Sequence, residues 1–132
     1  MSEVYYGWNS KDVIFDELNG LSIASVHGLE KDSEEVIFTL SDGRQFKMYH
    51  EQVCCESVYI ADVCGDVNDL VGAEIIHFEE RSEEGDNDYG TYTWTFYDIQ
   101  TTKGCVNIRW LGESNGYYSE YVSVKWPVQE QS

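Results

Sequence analysis

Residues 35–51, EVIFTLSDGRQFKMYHE, decide how the chain is to be folded. Val36, Phe38 and Leu40 alternate with Glu35, Ile37 and Thr39, and across Asp42-Gly43 the residues Phe46 and Met48 alternate with Gln45, Lys47 and Tyr49. A period of two on both sides of an Asp-Gly dipeptide is the signature of an antiparallel hairpin, here expected over 35–41 and 44–51 with a tight type I′ turn. The same alternation recurs on both sides. Leu21–Gly28, Ser57–Val63 and Ala73–Glu80 read as further strands. Thr91–Gln100, Cys105–Gly112 and Tyr117–Trp126 read as a C-terminal three-stranded meander, with Asn115-Gly116 as its second turn. Core packing is the expected role of the rows that hold Trp94 and Trp110.

Two stretches break the β pattern. Ser10 can cap a short helix over Lys11–Leu18 with Val13, Ile14 and Leu18 on its buried side and Gly20 as its stop. In GDVNDLVG, residues 65–72, Asp66 is placed to cap a single helical turn that Gly72 ends. Arg81–Gly90, RSEEGDNDYG, reads as a solvated loop, and 128–132, VQEQS, as a loose tail. The expected fold is therefore α+β and mostly antiparallel β: one curved, hairpin-rich sheet or two sheets, with a short N-terminal helix and one helical turn. A chain of 132 residues with 42% hydrophobic and 14% aromatic content fits one domain over 1–132.

Charge narrows the function classes. The chain carries 25 Asp and Glu against 8 Lys and Arg, a formal net charge of −17. Such a surface repels phosphate backbones, which argues against direct nucleic-acid binding and for a basic, nucleic-acid-handling protein as partner. No run reaches the roughly 18 apolar residues of a membrane span, and MSEVYYGWNSKD lacks the pattern of a signal peptide. The expected setting is a reducing cytoplasm, in which disulfides are disfavoured.

Chemistry concentrates in residues 47–66, KMYHEQVCCESVYIADVCGD. His50, Cys54, Cys55 and Cys64 supply four soft ligands, and a turn at 52–56 would let them surround a structural zinc ion. The rival use is a Cys–His nucleophile oriented by Glu51 or Glu56, which surrounding carboxylates disfavour. His27, His77 and Cys105 read as plain strand residues. No set of catalytic roles can be assembled, so a non-enzymatic protein is expected. The second candidate site is the acidic stretch Glu79, Glu80, Glu83, Glu84, Asp86 and Asp88. Its carboxylates can take bidentate arginine contacts as phosphates do. Tyr117 and Tyr118 lie on opposite faces, so at least one is free to serve as an interface anchor.

The blocks MYHEQ (48–52), CCES (54–57), GD-x-x-DL-x-G (65–72), TWTFY (93–97) and IRW-x-GESNGYYSE (108–120) resemble those of a phage and prophage family of uncharacterised domains, from about Leu21 to Ser123. The resemblance implies a phage-encoded protein acting in the cytoplasm of a bacterial host. By analogy with other small acidic phage proteins, the expected function is counter-defence: an anti-CRISPR-like inhibitor of a basic effector such as a CRISPR nuclease. A phage accessory enzyme built on the Cys–His or metal site, and a small structural or regulatory phage protein, are the alternatives.

Overall fold

A computed structural model describes Tyr6 and residues 10–128; the tail expected over 128–132 lies, beyond Val128, outside the described residues. Among the described residues, nine strands occur in the order β1 (Lys11–Asp12), β2 (Ile23–His27), β3 (Glu35–Leu40), β4 (Gln45–Tyr49), β5 (Ser57–Cys64), β6 (Ile75–Asn87), β7 (Gly90–Thr101), β8 (Cys105–Ser114) and β9 (Ser123–Trp126). They form two antiparallel sheets, one in the order β1-β9-β4-β3-β2 and one in the order β5-β8-β7-β6. Among the described residues the only helical pieces are two short 3-10 helices, Phe15–Leu18 and Val67–Asp69. The fold is thus two-sheet β, not α+β.

The hairpin of β3 and β4 forms as the alternation requires, with Phe38 opposite Phe46 and Val36 opposite Met48. Its turn differs from the expected type. Gly43 N donates to Leu40 O and Leu40 N to Arg44 O, and only Gly43 of the turn has a positive φ, 93°. That is a three-residue loop with glycine in the left-handed position, not a type I′ pair.

The expected N-terminal helix is absent. Lys11 and Asp12 pair with Trp126 and Lys125, Val13 N donates to Val124 O, and the chain then turns into the 3-10 helix. An eight-residue helix is marginal by itself, and main-chain pairing along the edge of β9 outcompetes it. Val13 and Leu18 are buried as expected, while Ile14 points outward, 59% exposed. The turn at Val67–Asp69 does form, with Asp66 Oδ1 accepting from Asn68 N at 2.9 Å.

Two further corrections concern the second half. Arg81–Asn87 is not a loop: it continues β6, paired with Gly90–Phe96 of β7. Backbone pairing has overridden its charge, because side chains at a sheet edge can reach water on either face. Tyr117–Val122 is not a strand, and β9 leaves the meander to pair with β4 and β1. The reason is geometric: β8 already has β5 on one side and β7 on the other, so no edge is left for a fourth strand there.

The core lies between the sheets. Val36, Phe38, Leu40, Phe46 and Met48 face Ile60, Phe78, Tyr97, Ile108 and Trp110, all of them buried. Phe38 stacks on Phe46 at 4.8 Å, and Phe15 stacks on Phe78 at the same separation. Trp110 Nε1 points across the sandwich to Met48 Sδ at 3.2 Å. Trp94, by contrast, lies on the outer face of its sheet beneath the Arg109 guanidinium, 5.2 Å from the ring centroid. The expectation of core packing holds for the Trp110 row only. Main-chain bonds also join the sheets at their sides. Ile23 N donates to Ala73 O and Ile75 N to Leu21 O on one side, and Asp32 N donates to Ile60 O on the other.

Candidate interaction site at one end of the sandwich

The end of the molecule where β4 stops, β5 starts and the β6–β7 hairpin turns collects most of the sequence-predicted residues. Its organiser is Glu56, whose side chain is wholly buried. The loop 50–55 wraps around this one carboxylate. Glu56 Oε1 accepts from Cys54 N at 2.8 Å and Gln52 Nε2 at 3.0 Å, and Oε2 accepts from Val53 N at 3.0 Å and His50 Nε2 at 2.8 Å. Burial by itself would raise the carboxyl pKa, but hydrogen bonds from His50 and from the backbone N–H groups of Cys54, Glu56 and Val53 outweigh it and hold the group at about 2.

This arrangement decides what His50 can do. Its other nitrogen, Nδ1, lies 2.7 Å from Tyr121 O. Both ring nitrogens therefore face oxygen atoms of the protein. Each is taken up by a contact with oxygen rather than with a thiol. Cys54 and Cys55 are joined to each other as a disulfide between neighbouring residues. Cys64 sits at the far end of the eight-residue strand β5, exposed and with a free thiol. At roughly 3.3 Å per residue, the length of that strand keeps it away from the other three. The four residues expected to hold zinc are thus not brought together. Among the described residues, no group of three or more His, Cys, Asp and Glu is placed to hold a metal ion. The Cys54–Cys55 bond differs from the expectation of free thiols.

A second buried carboxylate fastens the neighbouring segment. Glu120, 5% exposed, accepts from Thr93 Oγ1 at 2.9 Å, from Thr91 Oγ1 at 2.5 Å and from Ser114 Oγ. Residues 115–121 are drawn across the end of the β6–β7–β8 sheet by these contacts, and the His50–Tyr121 bond ties them to the 50–56 loop. The sequence carried a signal for this. Glu120 alternates with Tyr118, Val122 and Val124, so a lone carboxylate occupies a face otherwise expected to be apolar.

The acidic residues stand on β6, an edge strand of its sheet. From the register, Glu79 and Glu83 share the outer face with Arg81, whereas Glu80, Glu84 and Asp86 share the inner face. Asp88 lies in the turn. Two of the carboxylates are held by tyrosines: Tyr97 Oη donates to Glu80 Oε2 at 2.6 Å, and Tyr121 Oη donates to Glu84 Oε1. Burial, and after it the Glu80 charge and hydrogen bond, raises the Tyr97 pKa well above its ordinary value. The Glu84 hydrogen bond and charge push Tyr121 up as well. Around the hairpin tip stand Tyr89, 94% exposed, and Tyr117, 82% exposed, with Tyr118 half-buried and in edge contact with Tyr117 at 5.2 Å. Tyr89 and Tyr121 extend the surface beyond the tyrosines singled out in the sequence.

Between the hairpin tip and the end of β8 lies a cavity of about 410 Å³. Asn87 and Tyr89 line it from the tip, Glu113 and Asn115 from the end of β8, Tyr118 from the crossing segment, and Cys55 from the disulfide.

A family model described as a domain of unknown function, DUF7448, matches residues 16–124. The chain belongs to the DUF7448 family. The match spans every strand from β2 to β8 and both buried glutamates, so the DUF7448 domain is the sandwich itself together with its acidic end. No curated protein and no solved structure matches the chain. No helix among the described residues of this DUF7448 member is long and apolar enough to cross a membrane.

Proposed function

We propose that the chain is a non-catalytic phage counter-defence protein, of the anti-CRISPR kind. It would bind a basic nucleic-acid-handling protein of a bacterial host, such as a CRISPR effector nuclease. The binding surface is the acidic strand β6 with the tyrosines at its tip, and the mechanism is occlusion of a nucleic-acid path lined by Lys and Arg.

The observation that carries this reading is the placement of the acids on a strand instead of a loop. Glu79, Glu80, Glu83, Glu84 and Asp86 stand in fixed register along 13 residues. Such a strand is roughly 43 Å long, with same-face neighbours about 7 Å apart. A carboxylate array held by backbone pairing needs no backbone ordering when it meets guanidinium groups, so less free energy is lost on binding than with a flexible acidic loop. Charge on an edge strand also blocks unwanted pairing with other sheets, which accounts for acids there as a class. It does not account for Tyr89, Tyr117 and Tyr121 standing exposed beside them. Exposed tyrosines next to a charged array are the composition of a binding surface.

The test uses the full chain with Glu79, Glu80, Glu83 and Glu84 changed to Gln. Binding to an oligo-arginine peptide and inhibition of target-DNA cleavage by guide-loaded CRISPR effector nucleases are measured across a salt series. The wild type should bind the peptide with affinity that falls steeply as salt rises, and the neutralised chain should lose both activities. Unchanged binding after neutralisation, or binding indifferent to salt, would overturn the reading.

A further inference from the structure

The cavity at the hairpin tip is placed where a segment lying along β6 would arrive. Asp86 pairs with Thr91 and Asn87 with Gly90, so the acidic strand runs directly into the cavity wall. Among the residues that line it, Glu113 is the one charged group, and there is no Lys, Arg or His. Tyr89 and Tyr118 line it with aromatic side chains, while the side-chain oxygens of Asn87 and Asn115 are taken up by the backbone N–H groups of Tyr89 and Tyr117. The chemistry is selective by sign. An anion would meet Glu113 and the field of a chain with net charge −17. A cation would gain both, together with the negative faces of the two rings. At about 410 Å³ the cavity falls within the range of small-ligand sites, roughly 300–1,000 Å³.

We infer that this cavity receives one guanidinium or ammonium head group, the side chain of an arginine or lysine presented by the basic partner. The inference rests on the binding surface proposed above and adds a defined anchor to it. The Glu113 carboxylate neutralises the head group, and the Tyr89 and Tyr118 rings flank it. Strand β6 supplies long-range attraction, and the cavity supplies a stopping point that fixes register.

The experiment uses the full 15N-labelled chain with two free probes, the cation Nα-acetylarginine amide and its neutral isostere Nα-acetylcitrulline amide. The arginine probe should shift the amide signals of Asn87, Thr91, Ser114 and Asn115 saturably, and the citrulline probe should bind about tenfold more weakly. Glu113→Gln should bring the two probes to similar affinity. Tyr89→Ala, at an exposed tip where folding is not at stake, should weaken the arginine probe about threefold. The chain neutralised on β6 should still respond at the cavity. Equal affinity for the two probes in the wild type would overturn the inference and make the cavity a neutral hydrogen-bonding site. Absence of a saturable response would overturn it as well, while leaving salt-dependent peptide binding to β6 intact. A wild-type chain that binds the arginine probe at the cavity but shows no salt-dependent peptide binding would instead overturn the reading of β6.

Discussion

His50 Nε2 lies 2.8 Å from Glu56 Oε2, and the same histidine reaches Tyr121 O with its other nitrogen at 2.7 Å. One side chain therefore links the loop before β5 to the segment before β9, and its replacement should loosen both. In His50→Ala, thermal stability should fall by several degrees. Hydrogen exchange should quicken at the Val53 and Cys54 amides without change in the β7–β8 pairing. Uniform loss of protection over the whole sheet would show that the histidine supports the core and not the two segments.

The Glu56 carboxyl lies well below its ordinary value of 4.5, at about 2 in the folded chain. A depressed folded value stabilises the protein above the unfolded value and ceases to do so as pH falls through the folded one. Stability should therefore decline between about pH 4.5 and pH 2. Glu56→Gln should be less stable than wild type at neutral pH and should show a shallower decline over that acid range, measured by denaturant unfolding. Parallel curves for the two proteins would remove Glu56 from the acid response.

Tyr97 carries the opposite sign. Its phenol is buried and hydrogen-bonded to Glu80, so its folded pKa stands well above the ordinary value of 10.0. The stabilisation is complete below the ordinary value and is lost as pH rises beyond it. Tyr97→Phe should cost about 1 kcal/mol at neutral pH, since Glu80 is exposed and can be solvated instead. Its alkaline unfolding should begin at higher pH than in wild type. An unchanged alkaline midpoint would mean that another group governs that limb.

Thiol counting separates the cysteines. With Cys54 and Cys55 bonded and Cys64 and Cys105 free and exposed, two thiols should react in the folded chain and four after reduction. Zinc titration of the unreduced chain should show no tight site, because two of the four expected ligands are consumed and His50 faces two acceptors. Four reactive thiols before reduction, or stoichiometric zinc, would contradict the geometry of the 50–56 loop.

Gly112 tests the crossing segment. A Cβ built there would stand 2.5 Å from Glu120 O and 2.7 Å from its Cβ. The backbone cannot yield as a flexible side-chain tip would, so Gly112→Ala should destabilise by about 1–3 kcal/mol. The loss should appear first at residues 115–121. A change within experimental error would mean that the segment does not lie against β8.

The β pattern was legible wherever a period of two ran beside a turn signal. Val36–Leu40, Phe46–Met48 and Val106–Trp110 keep the faces expected of them, whereas Thr93–Ile99 alternates as expected but turns its Trp94 row outward. What failed depended on partners distant in sequence. Lys11–Val13 became extended because β9 offers an edge, and nothing within residues 10–20 announces that edge. Residues 81–87 were misread because charge density signals solvent contact, and an edge strand has solvent contact without being a loop. The metal-site reading rested on spacing alone. Sequence spacing showed that His50, Cys54 and Cys55 are close, but not that Glu56 would claim the histidine and two loop amides. Glu120 shows the converse. One carboxylate on an apolar-looking face was a visible sign of a buried polar contact.

The position of β9 has a bearing on how the molecule is assembled during synthesis. This strand comes last of the nine, yet it sits between β1 and β4, inside the first sheet. While residues 50–122 are being made, the N-terminal hairpin waits with the edge of β4 unpaired and β1 without a neighbour. The second sheet, whose four strands follow one another closely, can assemble first and offer its apolar face as a template. Closure then waits for Ser123–Trp126, a four-residue latch whose contacts are among the most distant in the chain. Pairing at such separation slows folding. It also makes the finished sheet a record that translation has passed residue 126.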